Sequence, residues 1–566
     1  MPTLPPGSGA VWLLVALPLS AAAQDPTRQP ADLVVVNAHI VTLDSRMPGA
    51  EAMAVVNGRI VALGGADEIR AAFAPREAID AGGATVLPGL IDAHAHVMGL
   101  GGALRTLDLV GTRSPEEIAS RVRSAAAERE PGQWILGRGW DQNDWEIQAL
   151  PAHEILDEAA PENPVWLERV DGHAGWVNAA AMREAGIDAT TPDVEGGRIE
   201  RDTAGQPTGV FVDNAQDLVY GAIPEPDEAE LVARLDAALE EMASVGLTGA
   251  HDMGASRATI ELYRQRASEG RLQSRLAVYL SAGAAFDWWR ESGSASAVDT
   301  DRFRVVGVKF YADGALGSRG AALLAPYSDD PGNRGLLVTH PDTLAARVAL
   351  AMELGLQPAI HAIGDRGNRV ALDAIAFALD QHRAASSSAA DARPPRIEHV
   401  QVVALEDIPR FAEIGVIASF QPTHATSDMY WAEERVGPER IEGAYAWRTF
   451  RDAGTAIVCG SDFPVESPNP FFGLYAAVSR QDHEGWPAGG WRPEERMTRE
   501  EALACFTIDA ARAAGMEDEV GSLAVGKRAD FVIVDRDPLT APVEDLWKTR
   551  VLRTVIDGET VYEAEP

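Results

Sequence analysis

The sequence predicts an α/β protein in which a (β/α)8 TIM barrel forms the main body and the two chain ends form a smaller β-sandwich. Three observations carry this prediction. From about residue 86 to residue 514, strand-like apolar runs alternate with helical stretches, as in repeated strand–helix units around a parallel sheet. Short segments of alternating polarity occupy both ends of the chain, and four of the apolar runs finish in a histidine or an aspartate.

The first residues have the pattern of a secretory signal peptide. An apolar stretch from Val11 to Leu19 runs into the small residues Ser20 to Ala23, although no lysine or arginine precedes it. The stretch is too short to span a bilayer comfortably. We therefore predict that residues 1–23 are a signal peptide cleaved after Ala23. The mature protein is then periplasmic or secreted, with no stable membrane anchor.

The terminal segments predict one composite β-sandwich, built from residues 30–85 and 515–566. At the N-terminal end, two period-two strands cover Asp32–Leu43 and Ala52–Leu63, and the second contains Asn57-Gly58, a typical hairpin turn. The C-terminal end has matching strands at Ala529–Asp535 and Val551–Tyr562. We expect the two ends to pair with each other.

Between these ends, residues 86–514 are predicted to form the barrel. The eight predicted strands are Ala84–Ile91, Leu247–Asp252, Leu276–Ser281, Phe303–Tyr311, Gln357–His361, Arg396–Val400, Val416–Gln421 and Thr455–Asp462. The interval between the first two is too long for one crossover helix, so we expect an insertion at about residues 107–220. Loops that follow barrel strands line the active-site face, which places this insertion over that face.

The composition is that of a soluble globular protein. Hydrophobic residues make up 46% and charged residues 24% of the chain. The 85 acidic and 49 basic residues give a net charge of −36, which repels nucleic acid and anionic membrane surfaces. We therefore expect no nucleic acid partner.

The chain has two cysteines, Cys459 and Cys505, and the sequence leaves open whether they form a disulfide. Two cysteines cannot build a Cys-rich structural zinc site. Any metal must therefore bind histidine, carboxylate or lysine-derived groups.

The strongest local signal for chemistry is the pair His94 and His96 at the end of the first predicted barrel strand. Side chains two residues apart in an extended segment share one face, so the pair can chelate one metal ion. His361, His399 and Asp462 each end a later strand. One such residue alone is more simply a hydrogen-bonded histidine or a helix-capping aspartate. Agreement among four strands favours a metal site at the catalytic end of the barrel.

Lys309 lies inside the fourth predicted strand, in an apolar stretch. An unpaired ammonium there would cost several kcal/mol, so Lys309 needs a partner or a modification. Two interpretations remain open. The lysine is carboxylated and becomes an anionic metal ligand, or it pairs with an acid such as Asp313.

Several motifs lie along the chain: Val86–His96, Asp171–Asn178, Val308–Arg319, Ile360–Arg366, Ile397–Gln401, Gly460–Val465 and Gly521–Asp530. Together they resemble the amidohydrolase superfamily, specifically the amidohydrolase family 3 or YtcJ-like branch that includes the N-substituted formamide deformylases. The resemblance covers nearly the whole mature chain.

This resemblance implies one or two divalent metal ions, with zinc expected. It places His94 and His96 on the more buried ion, carboxylated Lys309 as a bridge, and His361 and His399 on the second ion. Asp462 would be a metal ligand and the general base. The residues that would face the substrate are His173, Asp313, Arg319, Arg366 and Trp140. Each of these five also has a structural alternative, as a hydrogen-bonding group or, for Trp140, as part of the core of the insertion.

The predicted function is hydrolysis of a carbon–nitrogen bond in a small-molecule amide, either N-formyl, N-acyl or cyclic, by a metal-activated water. Two alternatives stay open. One is a catalytically inactive barrel that binds a small molecule or a partner, and the other is an esterase or lactonase that uses the same site. The complete set of six metal-site residues argues against inactivity. A homodimer is among the oligomeric states that the sequence leaves open.

Overall fold

The computed structural model describes residues 28–292, 300–385 and 393–565. The predicted signal peptide, residues 1–23, lies outside the described residues. Across the described ranges, no helix combines the length and the apolar character needed to cross a membrane.

The N-terminal region contributes strands to two separate sheets. Its elements are β1 (Gln29–Val36), β2 (His39–Val41), β3 (Gly49–Ala50), β4 (Ala52–Val56), β5 (Arg59–Gly64), α1 (Ala66–Ala72), β6 (Phe73–Asp80) and β7 (Thr85–Pro88). The predicted strand Asp32–Leu43 is interrupted at Asn37, whose φ is 54°, so β1 and β2 enter different sheets. The turn between β4 and β5 is Asn57-Gly58, with φ of 51° and 70°, as a two-residue type I′ hairpin requires.

The first barrel strand is followed by a second mixed unit. Its elements are β8 (Leu90–Ala95), α2 (Val97–Ala103), β9 (Leu107–Asp108), α3 (Pro115–Ala126), β10 (Ile135–Trp140), α4 (Glu154–Ala159), β11 (Val165–Arg169), β12 (Ala174–Val177), α5 (Ala179–Glu184), β13 (Gly197–Arg201), β14 (Pro207–Asp213) and α6 (Asp217–Tyr220). Strands β9 to β14 form one sheet in the order β13-β14-β12-β11-β10-β9. The chain between β8 and the next barrel strand therefore carries its own sheet and core.

The rest of the chain completes the barrel and returns to the terminal sheets. Its elements are α7 (Glu228–Ser244), β15 (Leu247–Ala255), α8 (Arg257–Ser268), β16 (Arg275–Ser281), α9 (Ala284–Ser292), β17 (Phe303–Tyr311), α10 (Pro341–Glu353), β18 (Gln357–Ala362), α11 (Asp365–Ala385), β19 (Arg396–His399), α12 (Ile408–Ile414), β20 (Ile417–Phe420), α13 (Pro422–Asp428), α14 (Ala432–Arg440), α15 (Trp447–Asp452), β21 (Ile457–Cys459), α16 (Pro470–Ser479), α17 (Arg499–Cys505), α18 (Ile508–Ala513), β22 (Phe531–Val534), β23 (Val551–Ile556) and β24 (Glu559–Glu563).

The eight-stranded sheet follows chain order from β8 through β15 to β21, and all its neighbouring strands are parallel. The chain just past β21 closes it against β8, because Asp462 N–H donates to His94 O at 2.8 Å and His96 N–H donates to Phe463 O at 2.9 Å. The predicted (β/α)8 barrel is confirmed.

One predicted barrel strand is divided incorrectly. Ala84–Ile91 is two strands, because β7 pairs with β2 and β22 in a terminal sheet, whereas β8 starts the barrel. The two terminal sheets have the orders β5-β4-β1-β6 and β24-β23-β22-β7-β2-β3, so strands from both chain ends meet in the second one.

The two ends of the barrel differ in polarity: apolar side chains fill one end, and polar side chains occupy the other. Side chains inside the barrel, such as Ile91 and Val306, pack in one cluster with Ala510 and Ala511 of α18. This apolar cluster fills the barrel end next to α18. The carboxyl ends of the strands carry the histidines instead.

The structure settles the pairing of the cysteines. Cys459 at the end of β21 and Cys505 at the end of α17 form a buried disulfide that joins positions 46 residues apart. This bond ties the strand that leads into Asp462 to a helix packed outside the barrel.

Candidate metal and active site

The six residues predicted as metal ligands converge at the carboxyl ends of the barrel strands. His94 is in β8, and His96 follows it directly. Lys309, His361 and His399 lie in β17, β18 and β19, and Asp462 comes three residues after β21. All except His96 are buried.

Asp462 is at the centre of this group. Its Oδ1 atom lies 3.3 Å from His94 Nε2 and 3.1 Å from His96 Nε2, and its Oδ2 atom lies 3.9 Å from His399 Nδ1. Burial alone would raise the pKa of Asp462, but the neighbouring histidines outweigh it and hold this pKa well below its usual range. Asp462 is therefore a carboxylate at neutral pH.

His94 is held by a buried ion pair behind it. Its Nδ1 atom lies 2.6 Å from Glu398 Oε2, and Glu398 accepts two hydrogen bonds from Arg396. All three side chains are inaccessible to solvent. Burial opposes ionisation of Glu398, yet Arg396 and His94 lower its pKa below its usual range. A carboxylate behind a metal-binding histidine fixes the tautomer that leaves Nε2 free for a metal.

The backbone near the ligands is strained. His399, Val400 and Asp462 have φ of 75°, 48° and 60°, in a region that side chains other than glycine seldom adopt and that costs of order 1–3 kcal/mol per residue. Asp92 holds part of this backbone, because its carboxylate accepts hydrogen bonds from the N–H groups of Ser461 and His94. This contact fixes the start of the Asp462 loop relative to β8.

Lys309 is almost completely buried and points at His94. Its Nζ atom lies 3.0 Å from His94 Nε2, and burial lowers its pKa to about 8. The alternative partner Asp313 is occupied elsewhere, since its carboxylate accepts hydrogen bonds from the N–H groups of Ala322, Ile363 and Gly364. Asp313 thus holds together the loops that follow β17 and β18, and its Oδ1 atom lies 3.9 Å from His361 Nε2.

Of the predicted substrate-facing residues, His173 reaches the site. Its ring centroid is 4.9 Å from that of His361, and its Nδ1 atom lies 2.7 Å from Asp213 Oδ1. Burial would lower the pKa of His173, but Asp213 outweighs it and raises this pKa.

Three other predicted substrate-facing residues lie elsewhere. Trp140 is fully buried, donates from Nε1 to Leu167 O and packs in the core of the insertion, so its structural alternative applies. Arg319 pairs with Asp329 at 2.7 Å, and Arg366 is exposed at the start of α11. None of these three is among the described residues that line the two cavities over the metal site.

Two site residues were missed by the sequence reasoning. Glu398 precedes His399 inside a motif that was noticed, but its place behind His94 depends on the register of β19 against β18. His424 in α13 is 8% exposed, and its Nε2 atom lies 3.9 Å from Asp462 Oδ2. No strand ends at His424, so the pattern that found the other histidines could not find it.

Two cavities meet at the site and share His173, His361, His399 and Asp462. Cavity A, of about 580 Å3, lies on the side of β15 to β17 and is also lined by Lys309 and Tyr311. Cavity B, of about 760 Å3, lies on the side of α13 and the Asp462 loop. Its walls include the apolar residues Leu100, Ala103, Leu316, Trp431 and Phe472.

The donor set fits a divalent metal. Ligand atoms of His94, His399 and Asp462 all lie within 4.8 Å of one another. Burial lowers the pKa of His94 to about 4 and that of His399 well below its usual value, so both imidazoles are neutral, the form that binds metals. Asp462 Oδ1 is buried and has no hydrogen-bond partner among the described residues. A cation at this point would satisfy it.

Comparisons with known proteins agree with this geometry. The model of the "Amidohydrolase family" matches residues 77–562. The putative amidohydrolase YtcJ of Bacillus subtilis is 32% identical over 91% of this chain and 96% of its own length. The N-substituted formamide deformylase of Arthrobacter pascens is 31% identical over 94% and 99%.

A solved structure gives the same result for the fold. An uncharacterized metal-dependent hydrolase from Pyrococcus furiosus superposes with a TM-score of 0.69 at 30% identity, covering 90% of this chain and all of that one. With a family match over most of the sequence and relatives above 30% identity along nearly their whole lengths, this chain belongs to the amidohydrolase family and is a metal-dependent hydrolase of carbon–nitrogen bonds other than peptide bonds.

Proposed function

We propose that the chain hydrolyses small N-formyl or N-acyl amides, with Asp462 as the general base at a zinc site of one or two ions. The observation that carries the proposal is the position of Asp462, whose two oxygens face His94 and His96 on one side and His399 on the other. The formamide substrate class is taken from the relative named as an N-substituted formamide deformylase.

The proposed ligands are His94, His96, His361, His399, Asp462 and a carboxylated Lys309. Carboxylation requires a neutral amine, and the lowered pKa of Lys309 increases the fraction of that form at neutral pH. The resulting carbamate would be an anionic oxygen ligand beside His94, in place of a buried ammonium. When bound, the metal lowers the pKa of water towards about 7 and polarises the scissile carbonyl.

The side chains then account for the proton transfers. Asp462 accepts a proton from the attacking water, whose oxygen bonds to the carbonyl carbon. Asp462 returns that proton to the nitrogen as the carbon–nitrogen bond breaks, and the products are a carboxylic acid and an amine. Glu398 holds His94 in place during both steps, and His173 contacts the substrate where the two cavities meet.

We propose further that the protein works outside the cytoplasm. The apolar segment before Ala23 supports export. The buried Cys459–Cys505 disulfide supports it independently, because disulfides persist in oxidising compartments and are rare in the cytosol.

Elemental analysis of the purified mature protein, beside a hydrolysis assay over N-formyl, N-acyl and ester substrates, tests the proposal. We expect one or two equivalents of zinc and amide hydrolysis that a chelator removes and zinc restores. Hydrolysis of esters but not of amides would show that the protein is an esterase. Absence of both metal and turnover after reconstitution with zinc and bicarbonate would refute the proposed reaction.

A further inference from the structure

Cavity B has a polar wall that the proposed proton transfers do not use. His424 and Asp428 are four residues apart in α13 and therefore lie on one face of that helix. Ser427 Oγ donates to Glu466 Oε1 at 2.6 Å, which brings Glu466 from the Asp462 loop to the same helix. All four residues line cavity B. We call His424, Asp428 and Glu466 the acceptor cluster.

The two carboxyl groups of the acceptor cluster have His424 as a neighbour, and its charged form would lower the pKa of both. Asp428 accepts hydrogen bonds from the neutral donors Gln401 Nε2 at 2.7 Å and Tyr445 OH at 2.6 Å. In the described part of the chain, neither Asp428 nor Glu466 forms an ion pair with an arginine or a lysine. Burial raises the pKa of Asp428 to about 7 and also raises that of Glu466.

Arg169, the one arginine among the lining residues of cavity B, interacts electrostatically with Asp428 but more strongly with Asp141 and Asp171. The guanidinium of Arg169 forms ion pairs with Asp141 and Asp171. Both of its carboxylate partners belong to the insertion, so its positive charge is balanced there. The side of cavity B next to α13 therefore has two carboxyl groups without an arginine or lysine partner among the described residues, and a bound cation would favour their ionised form.

His424 supplies an independent sign of a missing ligand. It is 8% exposed, yet no described residue donates to or accepts from its Nε2 atom. Leaving a buried polar atom without a partner costs the desolvation of that atom. Because His424 lines cavity B and Nε2 lies 3.9 Å from Asp462 Oδ2, a group bound beside the reacting centre would satisfy it.

We infer that cavity B binds a primary ammonium group carried by the substrate. An ammonium has three N–H donors, and the acceptor cluster offers the two carboxylates and the imidazole nitrogen that would receive them. Trp431 and Phe472 provide apolar surface for an alkyl chain in the same cavity. The substrate class is thus an amide whose chain bears a protonated primary amine. This inference rests on the proposed function for the position of the scissile bond, but binding of the cation does not require turnover.

Three formamides of similar size but different charge test the inference with the zinc-loaded protein. They are N-(4-aminobutyl)formamide, which is cationic, N-pentylformamide, which is neutral, and 4-formamidobutanoate, which is anionic. We expect kcat/KM for the cation to exceed that for the neutral compound by roughly tenfold or more, and the anion to be the poorest. Equal values for the cationic and neutral compounds, or a preference for the neutral one, would overturn the inference.

Two matched variants test whether the acceptor cluster causes the preference for the cationic formamide. Glu466→Gln keeps the shape of the side chain and removes its charge, so the ratio of cationic to neutral kcat/KM should fall by roughly tenfold. Glu434→Gln removes one charge from an exposed position on α14, outside the lining of cavity B, and should leave the ratio as it is. Equal effects of the two variants would show that overall charge, not the acceptor cluster, selects the cation. If Glu466→Gln does not fold, Asp428→Asn takes its place.

Failure of the proposed function can be told apart from failure of this inference. If none of the three compounds is hydrolysed, their binding to the wild-type protein is measured by calorimetry. Binding of the cationic compound at least tenfold tighter than the neutral one would uphold the ammonium site without the reaction. Binding of equal strength would overturn the site as well.

Discussion

Glu398 Oε2 lies 2.6 Å from His94 Nδ1, and this contact leaves the other ring nitrogen of His94 facing Asp462 and Lys309. Arg396 in turn donates to both oxygens of Glu398 from within the barrel. The Arg396–Glu398 pair is fully buried, so it fixes the orientation of His94 without any help from solvent. The metal site therefore depends on a charge pair that does not itself touch the metal.

Replacement of Glu398 by glutamine should weaken metal binding. The amide keeps the volume but loses the charge that orients His94, and changes of this kind cost about 10–100-fold in metal affinity. Competition with a chelator measures the affinity, and circular dichroism shows whether the variant is folded, because Arg396 is left without its ionic partner. Glu406→Gln, at an exposed position paired with Arg369, is the control. Unchanged zinc affinity in the folded Glu398→Gln variant would show that Glu398 does not orient His94 for metal binding.

Asp462 and His361 should fail in different ways. Asp462→Asn removes the proton acceptor but keeps an amide oxygen that can bind the metal, so turnover should fall by roughly 100-fold or more while bound metal persists. His361→Ala removes a ligand instead and should lower the metal content. Parallel kinetics and elemental analysis distinguish the two effects. Normal turnover in Asp462→Asn would exclude it as the base.

Activation by carbon dioxide should depend on pH through Lys309. Because burial lowers the pKa of Lys309 to about 8, the neutral amine that reacts is about 1% of the total at pH 6 and about half at pH 8. The rate of activation of the metal-free protein by zinc, at constant dissolved carbon dioxide, should therefore rise by about 50-fold from pH 6 to pH 8 and level off above about pH 9. A parallel series in carbon dioxide-free buffer is the control. A rate that keeps rising towards the usual lysine pKa, near 10.5, would show that burial does not activate this amine.

The barrel was predictable because each strand is an apolar run with a chemically distinct end. Phe303–Tyr311 has the same bounds in the prediction and in the structure, since nothing in it resembles a turn. The Thr85–Ala95 region was not divided correctly, because Gly89 separates two strands whose apolar patterns run into each other. Which sheet each half joins depends on partners hundreds of residues away, such as β22.

The candidate site was predictable where the end of a strand positions the residue. His94, His361 and His399 were found because a strand end places them, and periodicity suffices for that. Trp140 was misplaced because whether a side chain of the insertion faces the cavity depends on how its sheet packs over the barrel. Arg319 was misplaced because it pairs with Asp329 of its own loop after β17, a contact that a strand pattern does not predict. His424 was missed because it follows its strand by a partial turn of helix, and only the folded chain brings it to Asp462.

The Cys459–Cys505 bond gives a test that links stability to cell compartment. It closes a loop of 46 residues, so reduction should lower the free energy of unfolding by about 2–4 kcal/mol. Turnover should also fall, because Cys459 precedes Asp462 by three residues. Denaturant unfolding of protein purified without reductant, measured before and after reduction, gives the difference. Cys505→Ala cannot form the bond and should show no response to reductant. Two thiols that react with an alkylating reagent in the denatured but unreduced protein would show that the bond is absent and would remove its support for export.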